Sequence, residues 1–137
     1  MSARGVHHIG IAVANLEEAI ASYTHLFGGL LEHRATVEEQ GIEAASVLVG
    51  DARIELVAPL GPDTPVGKFL AKRGPGMHHI AYEVEDVGAE LRRLAADGVH
   101  LIDERPRKGL FGLEVAFIHP DAVHGVLAEL VANVEEH

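Results

Sequence analysis

The chain has 137 residues, 47% of them apolar and 4% aromatic, with no cysteine and a net charge of −10 when histidine is neutral. That length suits one ordinary domain or two small half-modules sharing a core, and the lack of cysteine excludes disulfides and thiolate metal sites. The acidic balance argues against nucleic acid or an anionic membrane as partner. With no signal-like or membrane-spanning apolar run, a cytoplasmic protein is expected.

Val6 to Val13 is apolar and partly β-branched, as in a strand buried on both faces. Asn15 follows as a helix N-cap with Glu18 three residues on, a capping-box arrangement. Leu16, Ala19, Ile20, Tyr23, Leu26 and Phe27 then recur at helical spacing, and Gly28-Gly29 stops the helix. Strands are expected over Leu31 to Val37, Ile42 to Val49 and Arg53 to Val57, with Gly50-Asp51 turning the last pair. Pro59 to Pro65 reads as a linker, and Val66 to Arg73 as a short helix ended by Gly74-Pro75-Gly76. The order then repeats. A strand covers Met77 to Val84, and Asp86 caps a helix carrying Val87, Leu91, Leu94 and Ala95 that ends at Asp97-Gly98. Strands follow near Val99 to Ile102, Leu113 to Ile118 and Gly125 to Val131. Glu135, Glu136 and His137 are read as a trailing end without a role. The pattern is β-α-β-β-β twice, an α+β fold of two similar modules about a pseudo-twofold axis.

The repeat is also written in the residues. His7-His8-Ile9 and His78-His79-Ile80 are the same tripeptide, and Val13 and Val84 keep the same offset. Each half closes on a matching tetrapeptide, Ile54-Glu55-Leu56-Val57 and Ala128-Glu129-Leu130-Val131. One such module makes a curved sheet that cannot close alone, whereas two side by side form a cup whose concave face gathers one His and one Glu from each. Two nitrogen and two oxygen donors suit Mn, Co, Ni, Fe or Zn better than Ca or Mg. Any one of these residues alone is readily a satisfied core histidine or an outward-facing glutamate. An ionised Glu set twice in apolar strands, however, needs a partner. Neighbouring strand residues face opposite ways, so one histidine of each pair enters the cup, and periodicity does not choose between His7 and His8. Lys68, Lys72 and Arg73, and again Arg105, Arg107 and Lys108, form basic segments that suit an anionic small molecule such as one carrying phosphates.

On these residues, together with Glu39-Gln40-Gly41, Lys68-Phe69-Leu70-Ala71-Lys72-Arg73-Gly74, Leu101-Ile102-Asp103-Glu104 and Gly125-Val126-Leu127-Ala128-Glu129-Leu130, nearly the whole chain resembles the vicinal oxygen chelate superfamily and its methylmalonyl-CoA epimerase branch. The resemblance implies a single domain over 1–137, with module one at about 5–60, a linker and short helix over 61–75, and module two at about 76–134. The modules would form a cup-shaped, partly open barrel around a metal. It implies His8, Glu55, His79 and Glu129 as ligands of a divalent ion, cobalt or manganese first, with nickel, iron or zinc as alternatives. It further implies a homodimer acting on an acyl-CoA. The implied reaction interconverts the R and S forms of methylmalonyl-CoA by proton abstraction between a thioester and a carboxylate, through a metal-stabilised enolate.

The chain departs from that pattern in places. Some members carry a second catalytic glutamate three residues after the Gly of Glu-Gln-Gly; here that position is Ala44, with the acid one place earlier at Glu43. Glu129 is expected as one acid/base and Glu55 as the other, with Glu43 shifted inward by a bulge as the competing option. The family's His-Pro-Lys is His119-Pro120-Asp121, and its Gly-Gly-x-Arg is Phe111-Gly112-Leu113-Glu114. A glyoxalase-type lyase or isomerase, or another metal-dependent enzyme of the superfamily, is the alternative activity. A metal-free binding cup is the alternative class, disfavoured by the shortage of aromatic side chains.

Overall fold

The computed structural model describes residues 3–133, which form two compact units, residues 8–78 and residues 3–7 with 79–133. Glu135, Glu136 and His137 lie outside the described residues. Eight strands and three α-helices are present among those described, in the expected double β-α-β-β-β order with one helix between the repeats. The fold is mixed α+β, and no described helix is long and apolar enough to cross a membrane.

The unit of residues 8–78 holds β1 (Gly5–Ala12, from His8 on), α1 (Leu16–Phe27), β2 (Leu30–Val37), β3 (Ile42–Val49), β4 (Ala52–Pro59) and α2 (Pro65–Arg73). Its strands lie in the order β2-β3-β4-β1. After β1 the chain crosses through α1 and returns by two hairpins, which leaves β4 parallel to β1 and the other pairs antiparallel. The α1 helix starts where expected, with the Asn15 side chain accepting from the Glu18 N–H at 3.0 Å, and stops at Gly28 in the left-handed region. Gly50, also left-handed at φ 59°, makes the two-residue turn between Val49 and Ala52. Strand alternation divides the sheet. Ala45 and Val47 of β3 and Leu56 and Ala58 of β4 pack with Leu16 of α1, and Glu55 and Val57 therefore point from the opposite face.

The second unit repeats this plan with β5 (Gly76–Glu83, from His79 on), α3 (Val87–Ala96), β6 (Arg107–Lys108), β7 (Leu113–Ile118) and β8 (Ala128–Asn133), in the order β5-β8-β7-β6. The β5 and β8 strands are parallel, as β1 and β4 are. Asp86 caps α3 through the Ala89 N–H at 3.0 Å. Val87 and Leu91 of that helix pack on Ala116, Ile118, Ala128 and Leu130.

Two strand expectations are corrected. Val99 to Ile102 forms no strand: only Leu101 bridges to Ile118, and the edge position passes to the dipeptide β6. The reason is a side chain. Asp103 accepts the Phe117 N–H at 2.8 Å, and the Ile102 and Asp103 N–H groups both donate to the Phe117 carbonyl, so a carboxylate takes a place in what would be a ladder. The last strand begins at Ala128 rather than Gly125, because His124 and Gly125 both adopt positive φ (61° and 98°) and carry the chain round a turn.

The linker into α2 is fastened by Thr64, whose hydroxyl donates to the Gly61 carbonyl (2.7 Å) and accepts the Gly67 N–H (3.1 Å). This draws Gly67 so close that a Cβ there would meet the carbonyl oxygens of Gly61 and Pro62, the latter at 2.8 Å, whereas a Cβ on Gly61 would meet nothing. Gly67→Ala is therefore expected to destabilise the protein by about 1–3 kcal/mol. Gly61→Ala should stay within about 0.5 kcal/mol of the parent. Urea unfolding of the two variants checks this, and equal midpoints would refute it.

Candidate metal centre

Each unit carries one imidazole facing one carboxylate, built in the same way. In the first, β1 and β4 are parallel with Gly10 opposite Glu55, and His8 lies two residues before Gly10 on the same face. In the second, β5 and β8 are parallel with Ala81 opposite Glu129, and His79 lies two residues before Ala81. The register is identical, so the duplication read from the residues is a duplication of geometry. His8 Nε2 stands 3.4 Å from Glu55 Oε2, and His79 Nε2 stands 3.4 Å from Glu129 Oε1. All four side chains are buried, their residues 3%, 8%, 4% and 7% exposed.

The choice between neighbouring histidines, open at the level of periodicity, is made by the alternation. His8 and His79 point from the faces that bear Glu55 and Glu129. His78 points the other way and meets Phe69 of α2 edge-on, with ring centroids 4.9 Å apart, and Arg73 lies over that same phenyl ring. His79 is itself set edge-on against Phe117, the register partner of Glu129.

The donor set fits a divalent ion. Ligand atoms held at ~2.0–2.2 Å from one ion, at octahedral to tetrahedral angles, lie roughly 2.8–3.6 Å from each other, and each His–Glu separation falls in that range. Both donor types, neutral imidazole and carboxylate, are those of mixed N/O transition-metal sites.

Glu43 is not part of this face. It stands opposite Ala58, which packs against α1, and it pairs at 3.5 Å with Arg34, whose other amino group bonds Glu17 of α1. The β3–β4 register runs unbroken from Ile42 to Val49, so no bulge turns Glu43 inward. The face that bears Glu55 has the small, fully buried Ala44 at this point instead.

The basic segments are exposed, as expected of side chains that meet a soluble anion. Lys68, Lys72 and Arg73 lie on α2, whereas Arg107 and Lys108 form β6 and Arg105 stands two residues before it. Arg107 is distinguished from the others because its guanidinium lies over Phe117, 5.3 Å from the ring centroid, and 3.4 Å from Asp103.

The departure at Asp121 has a local role. Its carboxylate lies 2.9 Å from His100 Nδ1 and 3.0 Å from His119 Nδ1, and the two rings stack with centroids 4.0 Å apart and planes 9° from parallel. The Asp121 N–H also donates to His119 Nδ1. Nitrogen lone pairs lie in the ring plane, so two parallel stacked imidazoles do not converge on one ion. The group instead locks the turn after β7, and its His100 contact holds the Asp121 carboxyl below its usual range.

One group beside Glu55 has no counterpart in the sequence motifs. The β2–β3 register slips between Leu31 and His33, leaving Glu32 as a bulged residue. Its carboxylate takes two bonds from Arg53 (2.9 and 3.2 Å) and one from the buried Ser46 hydroxyl (2.8 Å). Ser46 is the register partner of Glu55, and Arg53 lies two residues before it on the same face. The hydrogen-bonded guanidinium, helped by Ser46 and His33 and opposed by partial burial, lowers the Glu32 carboxyl from 4.5 to about 2.

The chain belongs to the glyoxalase/bleomycin resistance protein/dioxygenase superfamily, which it matches over residues 7–117. It is 36% identical over 126 residues to the mitochondrial methylmalonyl-CoA epimerase of Dictyostelium discoideum, covering 91% of this chain and 76% of that one. The crystal structure of methylmalonyl-CoA epimerase from Mycobacterium tuberculosis superposes with a TM-score of 0.92 at 42% identity, over 96% of this chain and 89% of that one. A methylmalonyl-CoA epimerase in complex with methylmalonyl-CoA and NH4+ superposes with a TM-score of 0.93 at 36% identity, over 97% and 96%.

Because the Glu32 carboxyl is depressed in the folded chain, its contribution to stability is complete above pH 4.5 and is lost as pH falls from there toward 2. Relative to Glu32→Gln, the parent protein should lose on the order of 1–2 kcal/mol over that interval, after allowance for the solvent reaching both side chains. Urea unfolding across the range measures it; parallel pH profiles for the two proteins would contradict the assignment.

Proposed function

We propose that this chain is a divalent-metal-dependent epimerase that interconverts the two configurations of methylmalonyl-CoA or a closely related 2-substituted malonyl thioester. His8, Glu55, His79 and Glu129 would hold the ion. The observation that carries the reading is the pair of buried His–Glu contacts set at the same register in each half. Relatives named as epimerases of this substrate, over nearly all of the chain, supply the substrate class.

The carbon between a thioester carbonyl and a carboxylate carries a proton that is removed only if charge can move onto the thioester oxygen. A cobalt or manganese ion in a mixed N/O site supplies that as a Lewis acid when bound. The rest of the work falls to side chains. His8 and His79 are fixed on parallel strands, so the carboxylates opposite them are held in place rather than sweeping through solvent. Each carboxylate has two oxygens, one turned to its imidazole and a second at which a proton can be held. Glu129 is assigned to take the proton from one face of the substrate carbon, and Glu55, its mate under the duplication, to return one to the other face. Burial of both glutamates keeps water from competing for the proton.

In deuterated buffer, cobalt-loaded protein is expected to exchange the proton at that carbon of methylmalonyl-CoA, and metal-stripped protein is not. Glu129→Gln should slow exchange by about 10²–10⁴-fold. Glu55→Gln should bind metal and lose epimerisation to a similar degree. A Glu55→Gln protein that binds metal and epimerises at the full rate would remove Glu55 as the second base. Stoichiometric metal with no exchange in the parent protein would move the function to another substrate of the same superfamily.

A further inference from the structure

On the reading that Glu129 acts on a 2-substituted malonyl thioester, we propose that Arg107 is a substrate-binding residue that holds the free carboxylate of the acyl group. Arg107 of β6 stands opposite Val115 of β7, and Val115 packs with Ala81 and Val131. Ala81 and Phe117 are both register partners of Glu129, so Arg107, Val115, Phe117 and Glu129 belong to one side of this unit's sheet. Lys108, one residue on, stands opposite Glu114 and so belongs to the side that packs α3. Of the two cations of β6, Arg107 is therefore the one on the side of Glu129.

The guanidinium is also fixed there. One oxygen of Asp103 accepts the Phe117 N–H at 2.8 Å and lies 3.4 Å from Arg107 Nε, which ties the arginine to the backbone of β7. Its guanidinium carbon lies over the Phe117 ring, 5.3 Å from the centroid. Phe117 stands directly across from Glu129, where cross-strand Cβ atoms are about 4.5–5.5 Å apart. The cation is thus one aromatic side chain removed from the carboxylate assigned to take the proton. A guanidinium has five N–H donors in a planar fork, and Asp103 addresses it at Nε, so its outer edge suits a second carboxylate in two-pronged contact. A malonyl thioester carries that group one bond from the carbon that loses its proton. The phosphates of coenzyme A lie at the far end of the pantetheine arm, which assigns this side chain to the acyl carboxylate instead.

The test is equilibrium binding, to the cobalt-loaded full chain, of methylmalonyl-CoA and of propionyl-CoA, the same thioester without the free carboxylate. Arg107→Met is expected to weaken methylmalonyl-CoA binding by about 10–100-fold and to leave propionyl-CoA binding within about twofold, as for loss of a charge-assisted contact. Lys108→Met removes the same charge from the opposite side of the sheet and should alter the two ligands equally. Equal weakening of both ligands in Arg107→Met would assign the residue to the phosphates and overturn the proposal, as would unchanged binding of both. A Lys108→Met protein that selectively loses methylmalonyl-CoA would reduce the effect to surface charge and overturn it as well. A parent protein that retains cobalt yet binds neither thioester would instead refute the substrate reading on which the proposal rests.

Discussion

A carboxylate buried against an apolar sheet is tolerated only where something compensates its charge, and this chain buries two of them as parts of the same device. Glu55 and Glu129 sit among residues such as Val57, Val115 and Val131 that offer no polar contact of their own. Each faces an imidazole at 3.4 Å. An imidazole and a carboxylate are the donor types of mixed N/O transition-metal sites, and each half carries one of each. The parallel pairing of β1 with β4, and of β5 with β8, then has a clear purpose. It places a histidine two residues ahead of the glutamate's partner in each half, and the helix and two strands that follow β1 or β5 make the long connection that parallel pairing needs.

Much of this was legible in the residues. The two His-His-Ile segments and the two Glu-Leu-Val segments mark the ends of the repeat, and Asn15, Asp86, Gly28 and Gly50 mark where helices start and strands turn. The candidate residues were therefore named before their geometry was known. Periodicity did not choose the inner histidine, which came from the family resemblance, because His7 and His8 have the same chemistry and only packing distinguishes their faces. Val99 to Ile102 looked like a strand since nothing in its composition reveals that Asp103 will take a ladder position. Glu32 looked like any acid on an edge strand. A one-residue bulge turned it inward, and bulges leave no reliable trace in hydrophobic periodicity.

The departures from the epimerase pattern read differently once the faces are known. Glu43 is one residue from the position of the family's second acid, and one residue on a strand is a change of side; here it serves an ion-pair chain with Arg34 and Glu17. With Ala44 on the face that bears Glu55, the proposed function assigns the proton chemistry to Glu55 and Glu129, which would make the symmetry of the two His–Glu pairs a functional matter as well as a structural one. Asp121, in place of a lysine, is absorbed into the stacked His100–His119 turn, so the cation lost there is not replaced on that loop. The guanidinium of Arg107 lies over Phe117, the register partner of Glu129.

Whether the two His–Glu pairs serve one ion is tested most directly by metal content. Loaded with cobalt and desalted, the parent chain should retain one ion per chain, and His8→Ala and His79→Ala should each lose it entirely, with thermal unfolding verifying that both variants remain folded. Two ions per chain, with each variant losing only half of the metal, would contradict a shared centre and mean that each half binds on its own.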